Sequence, residues 1–336
     1  MPDPGVTWRI ATPASAPGAI AIIELTGPSA ELAGAMERLR LPRPVPGVLR
    51  LVDLVGVDQG VFAAWSDRCV HLMPHGGLVV VRELAAALTS AGIGEASGIR
   101  NLRDRFPEAT DDDEALVLAA LGRAQSPRAV DLLLDQPNRW RRWRAGQGPG
   151  PSEEHSAVLD RLIHPPLVAA VGPTNIGKSS LTNALARDHV SIVADEPGTT
   201  RDHVGVAITM DGVVVRFVDT PGIRADAPLE EREAASIAWD VTARADLVLL
   251  CGDATAAPIT PGWLAAGTPR LVVALRSDLG TSAGWRADVV TCARDGSGIE
   301  ELARAIRRGL VSDAALEDAR PWRPGLGGAA ARGAFL

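Results

Sequence analysis

The sequence predicts an α/β protein: a mostly parallel sheet covered by helices, preceded by an α+β domain and a reduced helical segment. Three observations predict it. From Leu167 onward, apolar runs alternate with helix-forming stretches, the pattern of strands joined by crossover helices. A glycine-rich loop joins the first of those runs directly to the first helix. Upstream, short β-like runs are punctuated by Pro and Gly, with no such alternation.

In chain order, the β-like runs of the first domain (residues 1–110) are Ala19–Leu25, Leu49–Val57, Val61–Trp65 and Leu78–Val81. In residues 111–163, apolar residues recur at helical spacing, first Leu116, Leu118 and Leu121, then Val130, Leu133 and Leu134, which predicts two short helices. Ala145–Glu154, rich in Gly and Pro, reads as a linker before a boundary near residue 160. Residues 164–312 carry the strands Leu167–Val171, Val204–Ile208, Val213–Val218, Asp246–Cys251, Leu271–Leu275 and Val289–Cys292, with helices from Lys178, near Glu230 and from Gly298. Residues 313–336 read as one short helical stretch followed by a loose, Gly- and Ala-rich tail from Pro321.

A chain of 336 residues suits two or three domains, each able to bury its own core. Its formal charge of -7 means that any contact with nucleic acid must come from a local patch. Cys69, Cys251 and Cys292 lie far apart, without the spacing of a zinc knuckle or redox pair, which fits a reducing compartment. The apolar run Ala19–Ile23 ends at Glu24, so neither a signal peptide nor a spanning helix is read near the N-terminus, and the expectation is a cytoplasmic protein without a membrane partner. His75, His155, His164, His189 and His203 have no Ser or Cys partner at motif spacing, which leaves a nucleophile triad unsupported. Of the 34 basic residues Lys178 is the only lysine, and a compact ammonium fitted between phosphates is a task that arginine's planar fork does not perform.

The loop Gly172-Pro173-Thr174-Asn175-Ile176-Gly177-Lys178-Ser179 has the spacing of a phosphate-binding P-loop. In that arrangement the glycines let backbone N–H groups turn onto phosphates and the helix beginning with Ser180 points its positive end at them. Lys178 then reaches the β and γ phosphates and Ser179 ligates magnesium. Pro197-Gly198-Thr199-Thr200-Arg201-Asp202 follows where a switch loop should bring a second hydroxyl to the magnesium. One of the two threonines is the candidate, and Thr200 is assigned. Asp219-Thr220-Pro221-Gly222 ends the strand Val213–Val218, so that Asp219 can hold magnesium through water and the Gly222 amide can sense the γ-phosphate.

Base selection rests on two later loops. GTPases of this kind carry Asn-Lys-x-Asp after the next-to-last strand, and here the stretch reads Leu275-Arg276-Ser277-Asp278. Asp278 keeps the carboxylate that accepts two N–H bonds from guanine. Leu275 in the asparagine's place removes loop-tying hydrogen bonds of roughly 0.5–1.5 kcal/mol each, which predicts weaker GTP affinity with guanine preference kept. Cys292-Ala293-Arg294 stands where a last loop covers the base through backbone groups. The expected bound species are GTP or GDP and Mg²⁺, and the expected chemistry is in-line attack of water on the γ-phosphate.

With these loops in hand, the chain resembles the TrmE (also called MnmE) family of tRNA-modification GTPases. Asn175, the run Gly198-Thr199-Thr200-Arg201-Asp202 and the pair Glu231-Arg232 stand in that family's order. So do Ala11-Thr12-Pro13, Thr26-Gly27-Pro28 and His75-Gly76-Gly77 opening an apolar helix, which resemble its dimerising domain, and Asp113–Gln136, which resembles its first central helices. The resemblance implies that Asn175 helps to hold K⁺, which acts like an arginine finger when two nucleotide-binding domains meet, a gain of about 10³–10⁵ in rate. Ile223 cannot orient a water, and the resemblance implies that Glu231 does so through a bridge; its alternative is an exposed acid on a helix that also carries Glu230 and Glu233. The implied partners are a second copy of the chain, tRNA and a flavin-dependent modification protein.

Departures limit the carry-over. Glu24 stands where the family has a folate-contacting arginine, and Ser66-Asp67-Arg68 where it has Gly-Glu-Asp, so folate is not carried over. The family's terminal Cys-Ile-Gly-Lys motif does not occur between Arg294 and Leu336, and the modification chemistry is not carried over with it. The alternative is a regulatory or ribosome-associated GTPase of the Era or Der kind. Arg139-Trp140-Arg141-Arg142-Trp143-Arg144 can meet RNA phosphates and stack on bases, or its tryptophans can pack on the core while the arginines favour a helix C-terminus.

Overall fold

The computed structural model describes residues 5–12, 18–96, 102–189, 205–220, 243–262, 264–280 and 284–325. The chain forms two compact units that meet in sequence between Ala119 and Ala120. Of the two helices expected in residues 111–163, the first lies almost wholly in the first unit and the second lies in the second.

In the first unit, β1 (Thr7–Ile10), β2 (Ile23–Thr26), β3 (Leu49–Leu54), β4 (Asp58–Ala64), β5 (Cys69–Met73) and β6 (Gly94–Glu95) form a sheet in the order β3-β4-β5-β2-β1-β6. Its ladders are antiparallel except for β1 with β6. Helices α1 (Ser29–Arg38) and α2 (Leu78–Ser90) supply Leu32, Met36, Leu84 and Leu88 to a core shared with Ile23, Leu25 and Leu72, all fully buried. Each such side chain contributes about 1.5–3 kcal/mol of burial. Leu78–Val81, which reads as β-like, is instead the first turn of α2. The buried pair Leu84 and Leu88 sets a helical face that outweighs the β preference of three consecutive valines. Short helices α3 (Leu102–Arg105) and α4 (Asp112–Leu121) follow.

The second unit opens with α5 (Pro127–Arg144) and α6 (Glu153–Leu159). Its sheet joins β7 (Leu167–Val171), β8 (Val206–Met210), β9 (Val213–Asp219), β10 (Leu247–Gly252), β11 (Arg270–Ala274) and β12 (Val289–Val290) in the order β12-β11-β10-β7-β9-β8. All neighbours are parallel except the β8–β9 hairpin. The central strands β7 and β10 are almost wholly buried apolar runs, as a sheet covered on both faces requires. Helix α7 (Lys178–His189) buries Leu181 and Leu185, one turn apart. Helix α8 (Ile299–Leu310) buries Ile299, Leu302, Ala303, Ile306 and Leu310 and carries acids in its first turn and arginines in its last, where the dipole favours each. The helix expected near Glu230 lies outside the described residues.

After α9 (Asp313–Glu317) the chain does not run loose at Pro321. Trp322 is fully buried in the second unit. Its amide donates to Gln136 Oε1 at 2.6 Å, its indole donates to Asp160 Oδ1 at 3.0 Å, and its carbonyl accepts from the Trp140 indole at 3.3 Å. A large aromatic side chain outweighs the weak propensities of its Pro- and Gly-rich surroundings. Among the described residues no helix is long and apolar enough to cross a membrane.

Candidate functional site

The loop after β7 and the N-terminus of α7 build one cleft. Gly172 packs so closely that a Cβ would stand 2.4 Å from the Cys251 carbonyl oxygen, and Gly177 has φ +98°, which side chains rarely adopt. Ile176 is buried beneath the loop, whereas Asn175, left-handed at φ 64°, is exposed on it. The loop thus presents its backbone and a polar side chain outward. Lys178 is only 6% exposed, and its Nζ donates to the carbonyls of Gly172 at 3.1 Å and Pro173 at 2.7 Å. Burial lowers its pKa while Asp219 opposes the shift. A phosphate entering the cleft would meet the ammonium, the amides of the loop and the helix N-terminus together.

The parallel pairing of β7 with β9 sets Asp219 opposite Ala170 and so beside the loop. Thr220 fixes this strand end through its hydroxyl, which donates to the Ala170 carbonyl at 2.8 Å. The Ser179 hydroxyl donates to Asp219 Oδ2 at 2.6 Å, while Asp219 Oδ1 is buried without a hydrogen-bond partner among the described residues. A buried orphan carboxylate oxygen next to a hydroxyl is a hard-oxygen donor set, and Mg²⁺ fits it. Ser180, one residue on, lines both this cleft and its neighbour.

The neighbouring cleft, of about 330 Å³, lies between Gly177, Asp278 and Cys292. Loops after β11 and β12 form its wall, so both clefts open at the carboxyl ends of parallel strands, where such sheets bind ligands. Asp278 Oδ1 lies 3.5 Å from Cys292 Sγ and its Oδ2 lies 3.8 Å from Arg294, which together hold the carboxylate at the rim. Ala293 lines the same wall.

The structure therefore brings together Gly172, Asn175, Ile176, Gly177, Lys178, Ser179, Ser180 and Asp219 around one cleft, and Asp278, Cys292, Ala293 and Arg294 around the next. Gly198, Thr199, Thr200, Gly222 and Glu231 lie outside the described residues. Sequence reasoning misses Arg276, which lines both clefts, and Asp253, which is 1% exposed and ion-paired with it. The place of Arg276 in the Asn-Lys-x-Asp frame is a signal, whereas Asp253 has none beyond its position after an apolar run. In the Arg139–Arg144 stretch, Trp140 is buried, and Trp143, 37% exposed, packs edge-on against it with ring centroids 5.5 Å apart.

A strand, a glycine-rich loop with its lysine, a helix and a magnesium-type oxygen pair define a class, and a protein-family model described as a 50S ribosome-binding GTPase matches residues 167–271. The chain is a P-loop GTPase, which binds GTP and hydrolyses it. It is 31% identical to the tRNA modification GTPase MnmE of Acidiphilium cryptum, over 86% of this chain and 78% of that one. To the protein of the same name in Synechococcus sp. strain WH7803 it is 33% identical, over 80% of this chain and 62% of that one. Among solved structures it is similar to Aquifex aeolicus Era bound to GDP.AlF4-, at 25% identity over 44% of this chain and 57% of that one, with a TM-score of 0.34. The chain belongs to the MnmE family.

Proposed function

We propose that this chain is a potassium-assisted, dimerising GTPase whose turnover serves the modification of tRNA at the wobble uridine. The observation that carries the hydrolytic part is the Ser179–Asp219 pair with its orphan oxygen beside the buried Lys178. Lys178 leaves its two carbonyls for the β and γ phosphates, and the amides of the P-loop and of Gly222 orient the γ-phosphate for in-line attack by water. Ser179, Thr200 and Asp219 would hold Mg²⁺, which would neutralise phosphate charge. Asn175, on the open side of the loop, offers its amide oxygen to K⁺, and Glu231 places the water. Asp278 selects guanine beneath the cover of Cys292, Ala293 and Arg294. The tRNA role rests on the name of the relatives and on the exposed arginines at the end of α5. The partners proposed with it are a second copy, through the N-terminal and nucleotide-binding domains, and a flavin-dependent modification protein. The chain acts in the cytoplasm.

Phosphate release by the purified protein in potassium and in sodium, at several protein concentrations, tests this reading. It expects turnover that needs potassium, rises with protein concentration and falls in Glu231→Ala. Equal, concentration-independent rates in both salts would overturn the dimer mechanism and leave a partner-activated GTPase.

A further inference from the structure

Two charged side chains that the mechanism does not use meet between the phosphate cleft and the base cleft. Leu275, in the position where GTPases of this class carry an asparagine, points inward at 3% exposure and leaves its loop without that residue's side-chain bonds. Its amide ties the loop by donating to the Gly252 carbonyl at 2.8 Å. The next residue, Arg276, is left-handed at φ 51°, which sends its side chain back across the P-loop. A Cβ on Gly177 would stand 3.3 Å from Arg276 Cγ, so the arginine stem lies on that glycine, and the guanidinium pairs with Asp253 Oδ2.

Asp253 is built to receive it. It follows β10 directly and its other oxygen, Oδ1, accepts from Thr255 N at 2.8 Å, Thr255 Oγ1 at 2.7 Å and Ala256 N at 2.9 Å. Burial pushes this carboxylate up, but Arg276, Thr255 and Ala256 outweigh it and hold the group below the usual range, ionised at neutral pH. Removing either partner of such a pair strands the other charge.

We infer that Asp253 and Arg276 form a tie that replaces the missing asparagine, fastening the base-reading loop to β10 and to the P-loop so that Asp278 stays in place for guanine. These are positioning residues, and the inference rests on the reading of Asp278 as the guanine reader. It also revises the affinity expected from Leu275 alone, because the loop is fastened by a different pair.

Binding of a fluorescent GDP and a fluorescent XDP by the full chain tests both layers separately. Asp253→Asn keeps an oxygen for Thr255 and Ala256 and removes the charge that Arg276 meets. It and Arg276→Ala are each expected to weaken GDP about tenfold or more, and the double variant no further than the weaker single one, because one tie is broken only once. Adding Leu275→Asn to Asp253→Asn is expected to restore most of the loss. Either single variant binding GDP within twofold of the parent, or losses that multiply in the double variant, would overturn the tie; the second outcome would mean that Arg276 acts on the nucleotide alone. Asp278→Asn is the separate control: it should exchange GDP for XDP preference, and a failure there would sink the base-reading assignment whatever the tie does. Unchanged thermal unfolding midpoints without nucleotide distinguish loss of positioning from loss of fold.

Discussion

Lys178 directs its charge at two carbonyls of its own loop, so a phosphate has to displace neutral acceptors, which a charged oxygen does readily. Lys178→Ala is expected to lower GTP turnover by at least about 100-fold, measured as phosphate release, since one preorganised donor to a developing charge is worth that much. Lys178→Arg should not rescue it, because a planar fork cannot occupy the space of a compact ammonium that is nine-tenths buried. A normal rate in either variant would overturn the site assignment. This residue is legible in the sequence, since loop spacing and an otherwise lysine-free chain both point to it. Asp253 is not. Its partner Arg276 is distant in sequence, and only parallel pairing of β10 with β11 and a left-handed residue bring the two together.

At the scale of elements, the first sheet is cross-linked by a buried charge. Glu24 on β2 accepts from Arg9 Nε of β1 at 2.7 Å, and Arg105 and His71 of β5 each lie 3.4 Å away. Burial raises its pKa, but the approach of His71 and the two arginines outweighs this and brings it down to about 2. A depressed carboxylate stabilises the fold above its unfolded value of 4.5 and loses that contribution as pH falls through about 2. At neutral pH this amounts to about 3 kcal/mol. Glu24→Gln should lower amide-exchange protection in β1, β2 and β5 at pH 7 and flatten its fall between pH 4.5 and 2; protection as steeply acid-dependent as in the parent would refute the assignment. The same cluster gathers ligand atoms of Glu24, Cys69 and His71, yet it does not suit a metal: two arginines hold the carboxylate, and the Trp65 indole donates to His71 Nδ1 at 2.7 Å, which keeps the proton on the nitrogen that faces Glu24. In the second unit, Trp322→Ala should cost about 3–5 kcal/mol and expose α5 and α6 to exchange. Unaltered protection there would mean that the tail packs without holding. Apolar periodicity makes the central strands and α8 legible, because burial on both faces or on one helical stripe leaves a regular trace. The docked tail leaves none, since it is held by single contacts between residues far apart in sequence.

For the whole molecule, a formal charge of -7 works against any polyanion, so the proposed binding of tRNA depends on how charge is distributed. Within the second unit, the end of α5 exposes Arg141, Arg142 and Arg144 beside the partly exposed Trp143. The tail adds to this surface, because Arg139 Nη1 donates to the carbonyl of Asp318 at 2.6 Å and to that of Arg320 at 3.5 Å, which sets Arg320 next to the helix. The nearby acids are engaged elsewhere or only loosely: Asp135 pairs closely with Arg139 at 2.7 Å and reaches Arg142 only at 3.9 Å, and Asp318 pairs with Arg320 at 3.4 Å. Arg141 and Arg142 are therefore the side chains best able to turn to phosphates, with Trp143 open to a base. Each arginine withdrawn from a phosphate should lower the dependence of log K on log salt by roughly 0.7–0.9. Replacing both Arg141 and Arg142 with Ala is expected to weaken tRNA binding, to reduce the salt slope by about 1–2, and to leave GTP turnover without RNA unchanged. Titration of labelled tRNA at several salt concentrations reads this directly. An unaltered slope would mean that these arginines serve only the helix C-terminus, where the dipole already favours them, and the search for the RNA surface would pass to other arginines of the chain.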